Sequence, residues 1–222
     1  MFFAKKNKRE DIKKMRITVD NANFAIENGK LIIDINATDI ETLIRNGKVP
    51  VGTLKPKDIF KIDGKEFIVL DKNENGVVII SKEFTHSMKF GENADWKQSA
   101  IRKKLNGEYL NEIAKSVGEN NIKLMKRDLL SMDGLDDYGE CEDKISLLTM
   151  DEYRKYHKIL GVNKKYNDWW WTITPASTPQ NGYSRFVCYV DSGGILDWGV
   201  CDYCNGVRPF LTLDSSVLVS LN

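Results

Sequence analysis

The residues most able to do chemistry gather in the last quarter of the chain. Cys201 and Cys204 stand two residues apart, the spacing of a zinc or redox pair, and Cys141 and Cys188 are the other cysteines. A structural zinc site takes about four ligands. The sequence holds no second Cys-x-x-Cys and no His-x-His, and its histidines, His86 and His157, lie far from the pair. A thioredoxin-like pair opens a helix, and no helix start follows Cys204. Between Ser131 and Asp143 the carboxylates Asp133, Asp136, Asp137, Glu140, Glu142 and Asp143 are oxygen ligands of the kind calcium takes, but their spacing is not that of an EF-hand. No Gly-x-x-x-x-Gly-Lys-Ser/Thr, Gly-x-Ser-x-Gly or His-Glu-x-x-His occurs, and Ser192-Gly193-Gly194 reads as a turn between strands. The expectation is a chain with no catalytic residues, no metal and no cofactor.

What stands out instead is aromatic. Trp169-Trp170-Trp171 is followed by Tyr183, Phe186, Tyr189, Trp198 and Tyr203. Adjacent side chains on a strand alternate, so Trp169 and Trp171 should face one way and Trp170 the other. The segment Ser184–Asn205 mixes Tyr and Trp with Asp, Ser, Gly, Cys and Asn. That composition suits a recognition surface, because rigid rings give area at low entropy cost and small polar groups adapt. The expected anchors are Tyr183, Arg185, Tyr189, Trp198 and Tyr203, with Asp191, Asp197, Asp202 and Asn205 as polar contacts. Arg208, held between Gly206-Val207 and Pro209, reads as a buried fork on carbonyls or a carboxylate rather than an anion site. Basic residues at Lys97, Arg102, Lys103, Lys104 and Lys123–Arg127 leave nucleic acid as a secondary, less favoured partner.

These residues need positioning. Phe24–Ile26 and Leu31–Ile35 flank Asn28-Gly29, a hairpin signal, after a lead-in at Arg16–Asp20. Thr38-x-x-Glu41 caps a short helix through Asn46, which Gly47 stops. Val49–Lys57, with Pro50 and Pro56, reads as a connector. Ile59–Ile62, Glu66–Leu70 and Val77–Ser81 form a β-meander. Trp96–Asn106 and Glu108–Val117 read as two helices broken at Asn106-Gly107, and Gly118 ends the pair. Single strands are expected at Ile122–Asp128, Ile145–Leu148, Trp169–Thr174, Phe186–Val190, Ile195–Val200 and Val207–Leu213. Thr149-x-x-Glu152 is a second capping box, opening a helix to Leu160 with Met150, Tyr153, His157 and Leu160 on one side and Gly161 closing it.

An ordered set of motifs resembles one family. These are Asp95-Trp96, Ser99-x-Ile101-Arg102-x-x-Leu105-Asn106, Asp128-Leu129, Ser146-Leu147-Leu148-Thr149-x-x-Glu152-Tyr153, Trp169-Trp170-Trp171-x-x-Thr174-Pro175 and Gly206-Val207-Arg208-Pro209. They resemble an uncharacterised family of bacterial and prophage domains, from about Val51 to Leu213. That family is similar to C-type-lectin-like folds, including relatives of formylglycine-generating enzyme and the variable proteins of diversity-generating retroelements. The resemblance implies a mixed, mainly antiparallel sheet with flanking helices and long C-terminal loops. Lectins that bind sugar through calcium carry Glu-Pro-Asn or Gln-Pro-Asp, whereas Thr178-Pro179-Gln180 stands here, which speaks against that chemistry.

The chain has 222 residues and a net charge of +1, so no global field draws it to nucleic acid or an anionic membrane. Its 41% hydrophobic and 29% charged residues are enough for a real core. No secretory h-region follows Met1-Phe2-Phe3-Ala4, and no apolar stretch approaches the ~20 residues of a membrane helix. The expected location is the cytoplasm of a bacterial host, with reduced cysteines and no membrane partner. The expected fold class is α+β, with a basic arm at 1–15, a small β-hairpin plus helix module at 16–50 and a C-type-lectin-like domain at 51–222. The leading functional expectation is a non-enzymatic, phage- or mobile-element-encoded protein whose C-terminal surface docks a protein ligand. The alternatives are an anti-CRISPR-like inhibitor of a host defence nuclease and a cysteine-dependent enzyme using Cys201 or Cys204.

Overall fold

The computed structural model describes residues 23–27, 30–34, 47–160 and 169–221. The hairpin expected around Asn28-Gly29 forms from β1 (Asn23–Glu27) and β2 (Lys30–Asp34), with Phe24 opposite Ile33 and Glu27 opposite Lys30. The arm at 1–15, the lead-in at 16–20, Ile35, the helix expected at 38–46 and Gly161 lie outside the described residues. Val49 and Pro50, read as part of a connector, instead lie in a strand, β3 (Lys48–Pro50). The meander follows as β4 (Ile59–Ile62), β5 (Lys65–Asn73) and β6 (Gly76–Ser81). Asp63 and Gly64 both take positive φ, so the β4–β5 turn matches the right-handed twist of its strands.

Next come β7 (His86–Lys89) and a helix that differs from expectation. Instead of two helices broken at Asn106-Gly107, α1 (Ala100–Lys104) runs through a π-turn at Leu105–Tyr109 into α2 (Leu110–Val117). The cause lies in the spacing. Ile101, Leu105, Tyr109, Ile113 and Val117 are all buried, one at every fourth position. At ~100° per residue, an α-helix carries such a stripe ~40° further round at each step, so it drifts off the core face. The wider π-turn takes up about one residue's worth of that drift. Asn106 sits in the turn and explains why Asn-Gly does not break it. Its amide donates to the Ile145 carbonyl at 2.8 Å and accepts the Ile145 N–H at 3.1 Å. Gly118, at φ 80°, stops the helix as expected.

The stretch read as one strand over Ile122–Asp128 divides into β8 (Ile122–Lys123) and β9 (Met125–Asp128). They change partners at the exposed Leu124, since β8 pairs with a strand of the large sheet and β9 with β10 (Glu140–Asp143). β11 (Ile145–Ser146) is shorter than expected. The second capping box forms as read. The Glu152 N–H donates to Thr149 Oγ1 at 3.1 Å, the Thr149 N–H donates to Glu152 at 2.8 Å, and α3 (Met150–Leu160) follows. Its buried stripe is Met150, Tyr153 and Tyr156, while His157 is exposed with its ring edge-on to Tyr153.

The remaining strands are β12 (Trp170–Pro175), β13 (Phe186–Val190), β14 (Leu196–Val200), β15 (Cys204–Val207), β16 (Phe210–Leu213) and β17 (Leu218–Ser220). The strand read over Val207–Leu213 is thus interrupted at Arg208-Pro209, where proline lacks the N–H a ladder requires. An eight-stranded sheet runs β11-β16-β6-β5-β4-β17-β3, with β8 also on β16. A five-stranded sheet runs β14-β13-β12-β15-β7, antiparallel except where β12 meets β15.

The central strands β6, β16, β12 and β13 bury both faces, and alternation divides their side chains between two cores. Phe67, Ile79, Leu211, Trp171 and Val187 enter the first, with the buried stripe of α1 and α2. Leu70, Ile80, Phe210, Trp170 and Val190 enter the second, with Tyr153 and Tyr156 of α3. The described part of the molecule is therefore mixed α+β, built on mostly antiparallel sheets.

Two glycine substitutions probe this arrangement. A methyl group placed on Gly107 would meet no atom within 4 Å, and the residue lies inside a continuous helix, so Gly107→Ala should raise stability by ~0.5–1 kcal/mol in urea unfolding. A break at Gly107 would make the same change destabilising. Gly76, at φ 140°, would place a Cβ 2.1 Å from the Leu213 carbonyl oxygen, so Gly76→Ala should cost about 2–4 kcal/mol.

Candidate functional site

The β13–β14 hairpin carries Tyr189, Asp191, Asp197 and Trp198, and the other residues singled out by sequence flank it on either side. Asp191 builds its turn, accepting the N–H groups of Gly193 and Ile195 at 2.8 Å each. The hairpin leaves β14 at the edge of the five-stranded sheet among the described residues, and its two faces then part company. On one face Trp198, opposite Cys188 in register, meets Phe186 edge-to-face at 5.1 Å, and Tyr183 meets the same Phe186 at 5.9 Å. Trp198 stays 46% exposed and Tyr183 56%. On the other face Trp169 lies flat on Tyr189 at 4.7 Å, and Tyr189 meets Trp171 edge-on at 6.2 Å. Gly199 makes room there, since a Cβ on it would lie 3.0 Å from the Tyr189 ring and 3.5 Å from that of Tyr203. Trp169 is 40% exposed and Tyr203 53%.

The expected anchors therefore do not form one patch. Tyr183 and Trp198 share one face of the edge, while Tyr203 and Trp169 share the other. Tyr189 and Asn205, expected as contacts, are buried. Tyr189 alternates inward with Val187, and Asn205 lies in β15 opposite Met88, its Nδ2 without a partner among the described residues. Sequence reasoning missed Phe186 as the ring that carries both Tyr183 and Trp198. Its strand parity with Trp198's neighbour Cys188 was the available signal.

The expected polar contacts are largely occupied within the protein. Asp197 accepts the Trp198 N–H at 2.8 Å and the Tyr189 hydroxyl at 3.3 Å, which caps one donor of the edge strand. Arg185 pairs with Asp202, and the pair holds the Asp202 carboxyl below the usual carboxylate range. Both partners are exposed, so their contribution to stability is small.

The acidic loop is likewise turned to internal use. Asp133 accepts from Ser177 at 2.6 Å and Asn181 at 3.0 Å, and Asp137 accepts from Thr178. Asp143 accepts from Trp96 Nε1 and Arg102 Nε, each at 2.7 Å. Among the described residues no group of three or more His, Cys, Asp or Glu side chains is arranged to hold a metal. Arg208 is the buried fork expected, donating to the Ser81 carbonyl at 3.1 and 3.2 Å and to that of Lys82 at 3.3 Å, with its guanidinium 5.0 Å from the Trp170 ring centroid. Burial pushes it down to about 10, so it keeps its charge at neutral pH.

All four cysteines are free thiols. Burial pushes the Cys141 thiol up to about 11 and that of Cys188 up to about 12, and it raises Cys201 against a lowering bond from Arg185. A nucleophilic thiol needs the opposite shift. Cys204 is exposed.

Fold and surface together define a mixed α+β domain whose smaller sheet ends in an edge flanked by exposed aromatic rings. Residues 74–215 match the family described as Domain of unknown function (DUF6273), and the chain belongs to that family. The matched span runs from the β5–β6 turn past β16 and includes Trp169–Trp171 and Arg208. No curated protein and no solved structure matches the chain. No described helix is long and apolar enough to cross a membrane.

The thiols give a direct check on this arrangement. Iodoacetamide near neutral pH should label Cys204 first in the folded protein, the partly buried Cys141 more slowly, and Cys188 and Cys201 only after unfolding, as read by peptide mass spectrometry. Rapid labelling of Cys201 in the folded state would contradict its burial.

Proposed function

We propose that the chain is a non-enzymatic binding protein that docks a protein ligand on the aromatic surface flanking β14. The observation that carries this reading is that Tyr183 and Trp198 are both held against Phe186 and yet remain about half exposed. Rings fixed in this way offer large contact area with little side-chain entropy left to lose, the property of interface hot spots. With the Trp198 N–H capped by Asp197, the partner engages the rings rather than adding a strand to the ladder.

The reading fits a bacterial cytoplasmic protein encoded by a phage or mobile element, with a C-type-lectin-like domain at 51–222 preceded by a hairpin module at 16–50 and a basic arm at 1–15. The antiparallel sheets and few helices support that architecture, whereas the long C-terminal loops it implies are confined to 176–185, the connections from β13 to β17 being short. Inhibition of a nuclease by the acidic loop gains no support, because Asp133, Asp137 and Asp143 bond inward. An enzyme built on Cys201 gains none either, because that thiol is buried and raised.

The test treats the two faces separately. Affinity capture from a bacterial lysate identifies a partner, and titration then compares wild type with Tyr183→Ala/Trp198→Ala and with Trp169→Ala/Tyr203→Ala. The first pair should weaken binding by about 30-fold or more, the loss of a ~2 kcal/mol hot spot, with the melting temperature little changed. Equal binding by wild type and both variants would move the interface off this edge and overturn the proposal.

A further inference from the structure

The ring surface on the Trp198 face reaches beyond the hairpin. Trp198 faces the same way as Cys188, its register partner, and the Cys188 thiol lies 3.9 Å from the Met132 sulfur. Met132 is 43% exposed. It stands at the head of the acidic loop, and its N–H donates to the Pro175 carbonyl at 2.8 Å, at the end of β12. Tyr183, Phe186, Trp198 and Met132 therefore make one partly exposed apolar strip that runs across the edge hairpin to the acidic loop.

Two carboxylates fasten the acidic loop to that strip. Asp133, the residue after Met132, accepts from Ser177 at 2.6 Å and from Asn181, two residues before Tyr183, at 3.0 Å. Asp137 accepts from the Thr178 hydroxyl, and the Tyr183 N–H donates to the Thr178 carbonyl at 3.3 Å. Asp136 is exposed beside Asp137. The donors to Asp133 and Asp137 are hydroxyls and an amide. They fix the carboxylates in place without cancelling their charge. The bonds from Ser131 and Ser177 hold the Asp133 carboxyl below the usual carboxylate range, so it is ionised at neutral pH.

The nearby cations each have a carboxylate of their own. Arg185 pairs with Asp202, and Arg154, whose charge is felt at Cys188, pairs with Asp151 at 2.8 Å. Lys97 donates to the Tyr138 carbonyl at 2.6 Å, and the Asp95 carboxylate accepts its backbone N–H at 2.9 Å. Among the described residues Asp133, Asp136 and Asp137 have no ion-pair partner. The rim of the ring surface is therefore negative, although the whole chain carries a net charge of +1. Asp133 adjoins Met132, well inside the ~8 Å over which charge acts at physiological salt.

We propose that the ligand docked on Tyr183, Phe186 and Trp198 is a basic protein segment, with arginine or lysine side chains set beside apolar anchors. This inference rests on the docking reading above and adds the sign of the partner. Apolar side chains of the segment would cover Phe186 and Met132. Its cations would lie over the exposed rings of Tyr183 and Trp198, whose π-faces attract them, and would reach Asp136 and Asp137 at the rim. An acidic segment would meet like charge along the same rim and lose affinity.

The test uses the full chain and two sets of short synthetic peptides of equal tryptophan and leucine content. One set carries arginine and lysine, the other aspartate and glutamate. Binding is titrated by fluorescence anisotropy at about 50 and about 300 mM salt. Basic peptides should bind, with affinity falling about fivefold or more over that range and about fivefold or more in Asp136→Asn/Asp137→Asn. The amide oxygen of the new Asn side chain still accepts from Thr178, so this variant should keep the wild-type melting temperature. Tyr183→Ala/Trp198→Ala should weaken the same peptides about 30-fold or more. Acidic peptides that bind as tightly through the same rings overturn the inference and leave the docking reading intact. Basic peptides that bind Asp136→Asn/Asp137→Asn like wild type do the same. Basic peptides indifferent to the ring variant bind elsewhere, which overturns the inference as well. Binding by no peptide at about 1 mM also overturns it, and the lysate capture then decides the docking reading alone.

Discussion

The two sheets are held to one another by a buried guanidinium. The chain leaves the large sheet after β6 to enter β7, and returns from β15 to β16, so both crossings lie side by side in one bent antiparallel ribbon. The ladder closes on either side of the bend, with the Ser81 N–H donating to the Pro209 carbonyl at 2.9 Å and the Thr85 N–H to that of Val207 at 3.0 Å. Between these bonds one strand needs more residues than the other, and the carbonyls of Ser81 and Lys82 lose their ladder partners. Arg208 takes both of them. A buried cation is tolerable only when its donors are satisfied and a ring or counter-charge lies close. Trp170 supplies the ring, and Glu83 supplies a favourable field. Phe84 then packs so closely on Gly206 that a Cβ there would come within 2.7 Å of its ring.

From this joint the rest of the scaffold follows. Trp170 and Trp171 are neighbours in sequence but belong to different cores, one under α3 and the other under α1 and α2. The same strand thus couples both layers, and β13 and β14 extend from it to the edge. Trp169, one residue before β12, emerges at the surface and lies on Tyr189. The exposed rings are therefore rooted in the interior through the next residues along the chain or across the ladder. This is why so much aromatic surface can stand in solvent without losing its shape.

Much of this was legible in the residues. The Asn28-Gly29 hairpin, the meander, the Thr149–Glu152 box, the strand Phe186–Val190 and the structural role of Arg208 all rest on local chemistry or strand parity, which sequence carries directly. The misses depended on partners distant in the chain. Asn106-Gly107 looks like a helix break until the Asn106 amide is seen to bond Ile145. Ile122–Asp128 looks like one strand because alternation cannot reveal that Ile122 pairs with β16 and Met125 with β10. The exposed rings lie in the segment singled out, but on two faces rather than on one. Counting parity along Val187–Tyr189 would have turned Tyr189 inward, but the separation of Tyr203 from Trp198 depends on the turn through Cys201 and Asp202.

The pairing of β3 with β17 has a mechanical consequence. Lys48 lies opposite Ser220 and Pro50 opposite Leu218, at the outer end of the large sheet. The chain enters the sheet and leaves it at the same point. Tension applied through the flanking segments would load these hydrogen bonds one after another, as a zipper opens, rather than all together in shear. The same closeness would let the domain sit as a cassette within a longer polypeptide, since the incoming and outgoing ends need only a short gap between them.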